Sequence, residues 1–174
     1  MDYSNVTIET ERLLLVPVSQ EHIPHIFEEF KLPITQYMNY SSAGSVEELT
    51  ERQKKWDFEL KQGTKLSLTV FLKEGNEFLG RFAIENTLEK NPEMGGWLKQ
   101  SAHGNGYGKE AALGLKNWAD KNLTYENLIW PCAKVNLASR KLAESLGGTV
   151  QKEFIRKTES GNTWEAVEYW IPSS

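Results

Sequence analysis

Two rhythms alternate along the chain. Residues 8–18 are rich in Leu and Val and read as one strand closed by Pro17. Residues 20–30 place Ile23, Ile26, Phe27 and Phe30 at helical intervals. The stretch 32–44, with Pro33, Asn39, Ser41, Ser42 and Gly44, keeps neither period and reads as irregular. Ser45 and Glu48 have capping-box spacing and open a helix to about Gln62, with Gly63 as its stop. Residues 66–73 alternate as a strand, 74–77 turn, and 78–85 form a second strand. A polar link, 86–92, leads to a third strand at 94–99. The next helix follows a glycine-rich loop and runs to about Lys121, with Ala111, Leu115, Trp118 and Ala119 as its buried stripe. Residues 127–132 are a strand. Residues 136–146 are a helix with Ala138, Leu142 and Leu146 on one face, ended by Gly147 and Gly148. A hairpin of 150–157 and 163–171 closes the chain around Glu159-Ser160-Gly161-Asn162. The order β-α-α-β-β-β-α-β-α-β-β predicts an α/β (α+β) fold, a mixed sheet with helices on both sides.

Composition narrows the class. A chain of 174 residues, 39% hydrophobic and 11% aromatic, suits one domain over 1–174 with one sizeable core. No apolar run approaches the roughly 18–20 residues that cross a bilayer. The first residues carry no basic stretch followed by an apolar one, so no secretory signal is visible and no membrane partner is expected. Cys132, the sole cysteine, permits no internal disulfide and fits a cytoplasmic location. A net charge of −4 argues against nucleic acid and sits better with a cationic acceptor such as an amine. No metal site is expected.

The segment 95–112, GGWLKQSAHGNGYGKEAA, carries the most chemistry. Gly104, Gly106 and Gly108 let the backbone turn and approach a ligand without a Cβ clash. The helix behind them leaves its first N–H groups unpaired, with positive partial charge. Together they predict a phosphate-binding site. A P-loop fails, because Glu110 replaces its Ser/Thr and His103 its first Gly. A dinucleotide fingerprint fails too: the third Gly comes one residue early, and the loop lies past the middle of the chain.

What remains is the pattern [Q/R]-x-x-G-x-[G/A], with His103, Gly106 and Gly108 at its positions and Gly104, Glu110 and Ala111 extending it. This resembles the acetyl-CoA loop of the GNAT N-acetyltransferases, and most of all the RimJ/RimL-like branch of ribosomal-protein N-terminal acetyltransferases. Thr10-Glu-Arg-Leu-Leu-Leu resembles that family's first strand, and Phe78-Leu-Gly80 the entry to its third. Asn136-Leu-Ala-Ser139, with Leu142 and Gly147-Gly148, resembles its N-x-x-S-x-x-L…G segment. The matches keep their order over about residues 8–155.

The resemblance implies the GNAT acyl-CoA N-acyltransferase fold, with a mixed, mostly antiparallel central sheet. It implies acetyl-CoA as co-substrate and direct attack on it, in a ternary complex, by a primary amine. That amine is a protein N-terminus or a small molecule. It also implies pyrophosphate contact from Gly104, Asn105, Gly106, Tyr107, Gly108 and Lys109. Pantetheine would pair along Gly96, Trp97 and Leu98, whose N–H groups would also meet the developing oxyanion. His103 departs from the family's Gln or Arg; an imidazole can still donate one hydrogen bond there. A homodimer is an open expectation carried by the branch alone. A non-catalytic acyl-CoA-binding sensor or partner module is the alternative, and a Rossmann-type nucleotide-binding enzyme a third class.

Individual residues carry two readings each. Asn136 is a good N-cap, and the resemblance adds contact with the pantetheine arm. Ser139 is a helix-first-turn residue, and the resemblance implies instead the acid that protonates the departing thiolate, which needs little help near neutral pH. An amine must lose a proton before attack, and Glu85 or Glu93 could serve as base or be solvated strand-end charges. His22 and His25 flank the acceptor groove or face solvent, and solvent is the expectation. Cys132 reads as a buried small hydrophobe rather than a covalent nucleophile. Arg140 and Lys141 read as a solvated helix face within reach of the CoA 3′-phosphate. Tyr37, Met38, Tyr40 and Trp56 are core residues or line the acceptor groove.

Overall fold

The computed structural model describes every residue except 160 and 162, so part of the predicted hairpin tip lies outside the described residues. The elements are β1 (Ile8–Glu9), β2 (Leu13–Pro17), α1 (Ile23–Glu29), α2 (Val46–Gln62), β3 (Lys65–Leu72), β4 (Glu77–Glu85), β5 (Glu93–Leu98), α3 (Tyr107–Asn122), β6 (Asn127–Ala133), α4 (Leu137–Ser145), β7 (Thr149–Lys157) and β8 (Thr163–Pro172). The strands form one sheet in the order β1-β2-β3-β4-β5-β6-β8-β7. Every neighbouring pair is antiparallel except β5 and β6. The mixed, mostly antiparallel sheet expected from the sequence is therefore present.

Helices cover both faces. α3 and α4 close one face over Leu13, Leu15, Leu68, Val70, Phe82, Ile84, Met94 and Leu98. On the other face α1 and α2 pack on Val18, Phe71, Phe78 and Trp97. Trp118, placed by its spacing in the buried stripe of α3, is only partly buried and meets the ring of Tyr3 edge-on.

Three local readings are corrected. The strand expected over 8–18 is two strands. Ile8 pairs back with Leu15, and the turn between them is closed by the Thr10 amide donating to the Leu13 carbonyl. The helix expected over 20–30 begins as a single 3-10 turn at Gln20–His22. Its α-helical part starts at Ile23 because Pro24, which has no N–H, is tolerated only in the first turn. The box at Ser45 is half built: Ser45 Oγ accepts from the Glu48 amide, but Glu48 reaches back to the Gly44 amide instead of Ser45. Gly63 does stop α2, at φ +65°, where any Cβ would strike the Met1 carbonyl.

Candidate active site

The sheet opens where its one parallel pair ends. Glu93 on β5 stands opposite Ile129 on β6, and the Ile129 amide donates to the Pro92 carbonyl. Parallel pairing would next require an N–H at residue 131, two positions on along the same edge of β6. Residue 131 is Pro, which has none. The ladder stops there and the two strands part.

On β5 the Lys99 amide donates to the Leu79 carbonyl of the β4 side. Antiparallel pairing alternates, so the N–H groups of Gly96 and Leu98 lie on the opposite edge, facing the opening. The cleft between the strands is about 1260 Å³ and is lined from both sheet faces, by Trp56, Arg81, Glu93 and Gly96 and by Gly106, Pro131, Asn136 and Ser139 among others. Glycine at 96 is dictated by the neighbour: a Cβ would sit 2.5 Å from Phe82 Cγ. The Trp97 side chain points into the aromatic cluster of the α1/α2 face, 4.9 Å from Phe30 and 6.0 Å from Phe78 by ring centroids, and its backbone faces Arg81 on β4, so Trp97, expected to pair with pantetheine, offers no N–H to the open edge.

The glycine loop caps this cleft and opens α3. Gly104 and Gly106 have φ of +80° and +78°, a region that favours glycine. Gly108 is different: it is helical, and an added Cβ would make ordinary contact with Leu98 at 3.7 Å. A clasp from the other end of the chain holds the loop. Glu110 accepts from the Thr10 hydroxyl (2.5 Å), the Arg12 amide (2.7 Å) and Arg12 Nε (2.7 Å). Arg12 Nη1 donates to the Asn105 carbonyl at 3.0 Å, and the guanidinium lies 4.6 Å from the centre of the Tyr107 ring. A trans peptide then turns the Gly106 N–H away from Arg12. The Thr10-Glu-Arg segment is thus a turn that orients the loop. Its Arg12, which holds the loop through Asn105 and Tyr107, was not among the residues singled out from the sequence.

His103 does not work as expected. Its Nε2 lies 2.9 Å from the Leu98 carbonyl, an acceptor only, so the ring proton of the neutral imidazole is already committed. No second N–H remains for a phosphate unless the ring is protonated. The contact instead occupies the carbonyl at the end of the open edge.

Asn136 caps α4, its Oδ1 accepting from the Ser139 amide at 3.2 Å, and it lines the cleft. Ser139 Oγ accepts from Trp130 Nε1 at 2.9 Å, which leaves the hydroxyl proton free to point elsewhere. Glu85 and Glu93 stand directly opposite each other across β4 and β5. Glu85 is held by Lys65 at 2.5 Å. Glu93 has only a loose partner, Arg156 at 3.7 Å. Its carboxylate is open to the cleft yet ringed by protein. Burial, together with the charges of Glu85 and Glu168, raises its pKa against the pull of Arg156.

A family model for the acetyltransferase (GNAT) domain matches residues 12–149. The chain belongs to the GNAT acetyltransferase family. No curated protein matches it in sequence. RimL, a ribosomal L7/L12 α-N-protein acetyltransferase solved with coenzyme A, superposes with a TM-score of 0.85 at 18% identity, covering 96% of this chain and 98% of that one. An acetyltransferase from Salmonella typhimurium that modifies the N-terminal serine of ribosomal protein L7/L12 gives 0.81 at 19% identity over 95% and 97%. Spermidine N-acetyltransferase from Vibrio cholerae, with CoA and spermine, gives 0.82 at 14% identity over 94% and 97%.

In this GNAT chain several side chains singled out from the sequence lie elsewhere. His22 is buried rather than solvent-facing: its Nδ1 accepts from the Ser19 amide and lies 3.0 Å from the Thr69 hydroxyl. Burial lowers its pKa, outweighing nearby Glu21. His25 is exposed and stacks on Phe78. Arg140 is drawn to Tyr169 (3.0 Å) and the Lys134 carbonyl (3.3 Å) instead of a solvated face, whereas Lys141 is exposed. Cys132 is buried, and burial pushes its thiol pKa up, the wrong direction for a nucleophile. Met38, Tyr40 and Trp56 pack on the α1/α2 core and line the cleft with Tyr37. Among the described residues no cluster of metal ligands is present, and no helix is long and apolar enough to cross a membrane.

Proposed function

We propose that this acetyl-CoA-dependent N-acetyltransferase transfers the acetyl group directly to a primary amine at the fork between β5 and β6. The observation that carries the reading is the free edge of β5. It offers the N–H groups of Gly96 and Leu98 beside an anion-binding helix terminus. The extended amide-bearing arm of CoA suits such an edge, and the pyrophosphate suits the loop from Gly104 to Lys109. Asn136 would hold the arm through its free amide while its carbonyl caps α4.

The residues divide the chemistry. Glu93, its pKa raised by burial, takes the proton from the incoming ammonium, directly or through water. The Leu98 amide, nearer the loop, pairs with the arm, and the Gly96 amide, farther along the same edge, meets the charge that develops on the thioester oxygen. Ser139, its oxygen fixed by Trp130, gives its proton toward the departing sulfur. Cys132 stays protonated, which supports direct transfer over an acetyl-cysteine. Solved relatives of the same fold act on a protein α-amine and on spermidine. A protein N-terminus or a small amine is accordingly the acceptor class. An α-amine, with a pKa of about 7.7–8.0, demands less of a carboxylate base than a lysine at about 10.4. The buried, unpaired thiol fits a cytoplasmic location.

Thermal unfolding with acetyl-CoA, CoA and NADH in parallel tests the reading. Ligand at about 100 Kd adds about 2.7 kcal/mol, which is roughly 5–10 °C for a chain of this size. Stabilisation by both CoA species, followed by thiol release with an amine panel, is the expected result. Stabilisation by CoA with no thiol release from any amine would favour the sensor module instead.

A further inference from the structure

On the α1/α2 side of the sheet the cleft ends on a guanidinium. Arg81, on β4 opposite Trp97, is only 7% exposed. Its plane stacks on the Trp56 ring with the guanidinium carbon 3.8 Å from the centroid. Stacking covers one face and leaves the in-plane N–H groups to find partners. Nη2 donates to the Ser67 hydroxyl oxygen at 2.6 Å. Nε is buried with no partner, and Nη1 has none among the described residues.

Among the nearby carboxylates, Glu85, which acts on Arg81 at longer range, is paired with Lys65, and Glu93 and Glu59 have loose partners at 3.7 Å, Arg156 and Lys55. Glu159, at the rim, is held by the Asn39 amide. None lies within ion-pair distance of Arg81. The indole N–H of Trp164, a donor only, is also buried without a partner and lines the same cleft. Among the described residues lining the cleft, Glu59 Oε2 is the one buried acceptor without a partner. A guanidinium only 7% exposed whose Nε–H has no partner is costly unless something completes it, and a carboxylate complements its charge and can accept from that N–H.

We propose that Arg81 forms a subsite for a carboxylate of the acceptor, so that the amine acetylated at the fork belongs to an amino-carboxylate molecule rather than to a neutral amine or a polycation. This rests on the acetyl-transfer reading above. The carboxylate could belong to a free amino acid or to an acidic residue at a peptide N-terminus, and the two sources need separate arms.

The experiment measures kcat/KM for matched acceptors: 4-aminobutyrate against 4-aminobutyramide, the peptide amide Asp-Ala-Ala against Asn-Ala-Ala, and spermidine. A hydrogen-bonded charge contributes about 1.5–3 kcal/mol, so the wild-type enzyme should favour one or both carboxylate arms about ten- to a hundred-fold. In Arg81→Met that ratio should collapse toward one, and Arg81→Lys should restore it only partly because the Nε–H is lost. Stabilisation by acetyl-CoA certifies that each variant is folded. Equal use of acid and amide by the wild type, a preference for spermidine, or a ratio that survives Arg81→Met would overturn the proposal. If acetyl-CoA binds but no arm is acetylated, the transfer reading fails. Calorimetric titration of 4-aminobutyrate and the Asp peptide into the CoA complex still decides the subsite: binding abolished by Arg81→Met supports it, and no binding to the wild type overturns it.

Discussion

Removing the Glu110 carboxylate should separate the two roles of the N-terminal clasp. The side chain is 16% exposed and holds three donors: the Thr10 hydroxyl, the Arg12 amide and Arg12 Nε. Hydrogen bonds to a charged group contribute about 1.5–3 kcal/mol each in shielded sites. The Arg12 side chain is 42% exposed, so its ion pair is discounted to below about 1 kcal/mol. The bonds are not additive, and Glu110→Ala lets water reach the stranded donors. A net loss of about 2–3 kcal/mol follows, or roughly 5–10 °C in Tm.

Arg12→Met should behave differently. It keeps the Thr10 and backbone bonds but releases the Asn105 carbonyl and the Tyr107 ring. Fixing one residue's backbone costs about 1–2 kcal/mol. CoA must then order the loop itself, and its Kd should rise about 5- to 30-fold with a smaller fall in Tm. Thermal unfolding and calorimetric titration of CoA read the two effects separately. An Arg12→Met variant that binds CoA as the wild type does would refute the claim that Arg12 orients the loop. The clasp also has a pH signature. Burial opposes ionisation of Glu110, but the Thr10 and Arg12 bonds outweigh it and hold its pKa below the usual 4.5. A depressed carboxyl stabilises fully above its unfolded pKa and loses that contribution as pH falls through the folded value. The stability gap between wild type and Glu110→Ala should therefore be complete well above pH 4.5 and close as pH falls from there through the lowered folded pKa.

The glycines of the loop should not be equivalent. Gly106→Ala, at φ +78°, should cost about 1–2 kcal/mol and weaken CoA binding, whereas Gly108→Ala should leave stability within about 0.5 kcal/mol; equal effects in a melting series would contradict the geometry. Glu93→Gln should lower kcat about a hundred-fold or more and remove the acid limb of the kcat/KM profile. That limb should lie above the ordinary glutamate range, because Glu93 must be ionised to act and its pKa is raised; an unaltered profile would hand the proton to water. His22, buried with its pKa lowered, favours folding in its neutral form. The unfolded state takes up its proton first as pH falls below about 6.5, so stability should decline from there down to the folded pKa. His22→Gln should flatten that decline in urea titrations between pH 7 and 5.

What pattern could and could not reveal follows from range. Elements with a strong local period emerged near their observed places: α2 from Ser45 to Gly63, α3 behind the glycines, α4 with Asn136 at its cap. The positive-φ glycines were also legible, since only glycine takes that backbone readily. The misread strand at 8–18 failed for a different reason. Thr10, Glu11 and Arg12 suit a strand locally, and what bends them is Glu110, a hundred residues away. His103 failed likewise. The loop pattern gives the imidazole a donor's place, but the Leu98 carbonyl arrives through the 3-10 turn at Gln100–Ala102 and takes the proton first.

Pro131 lies between these cases. Its missing N–H is a local fact, visible in the chain, yet its meaning depends on which edge of β6 the residue faces. That is settled by the Lys134 amide bonding the Glu165 carbonyl of the β8 side, which sends the odd-numbered residues of β6 toward β5. A proline in the middle of a paired strand ordinarily argues against a sheet. Here it faces a neighbour the strand must not keep, and the same missing donor that would be a defect elsewhere opens the fork in which the chemistry is placed. Moving the proline one position along β6 would turn the gap toward β8 and close the fork. Pro131→Ala alone would restore an N–H to the β5 side and offer the sheet two more residues of pairing, in direct competition with CoA.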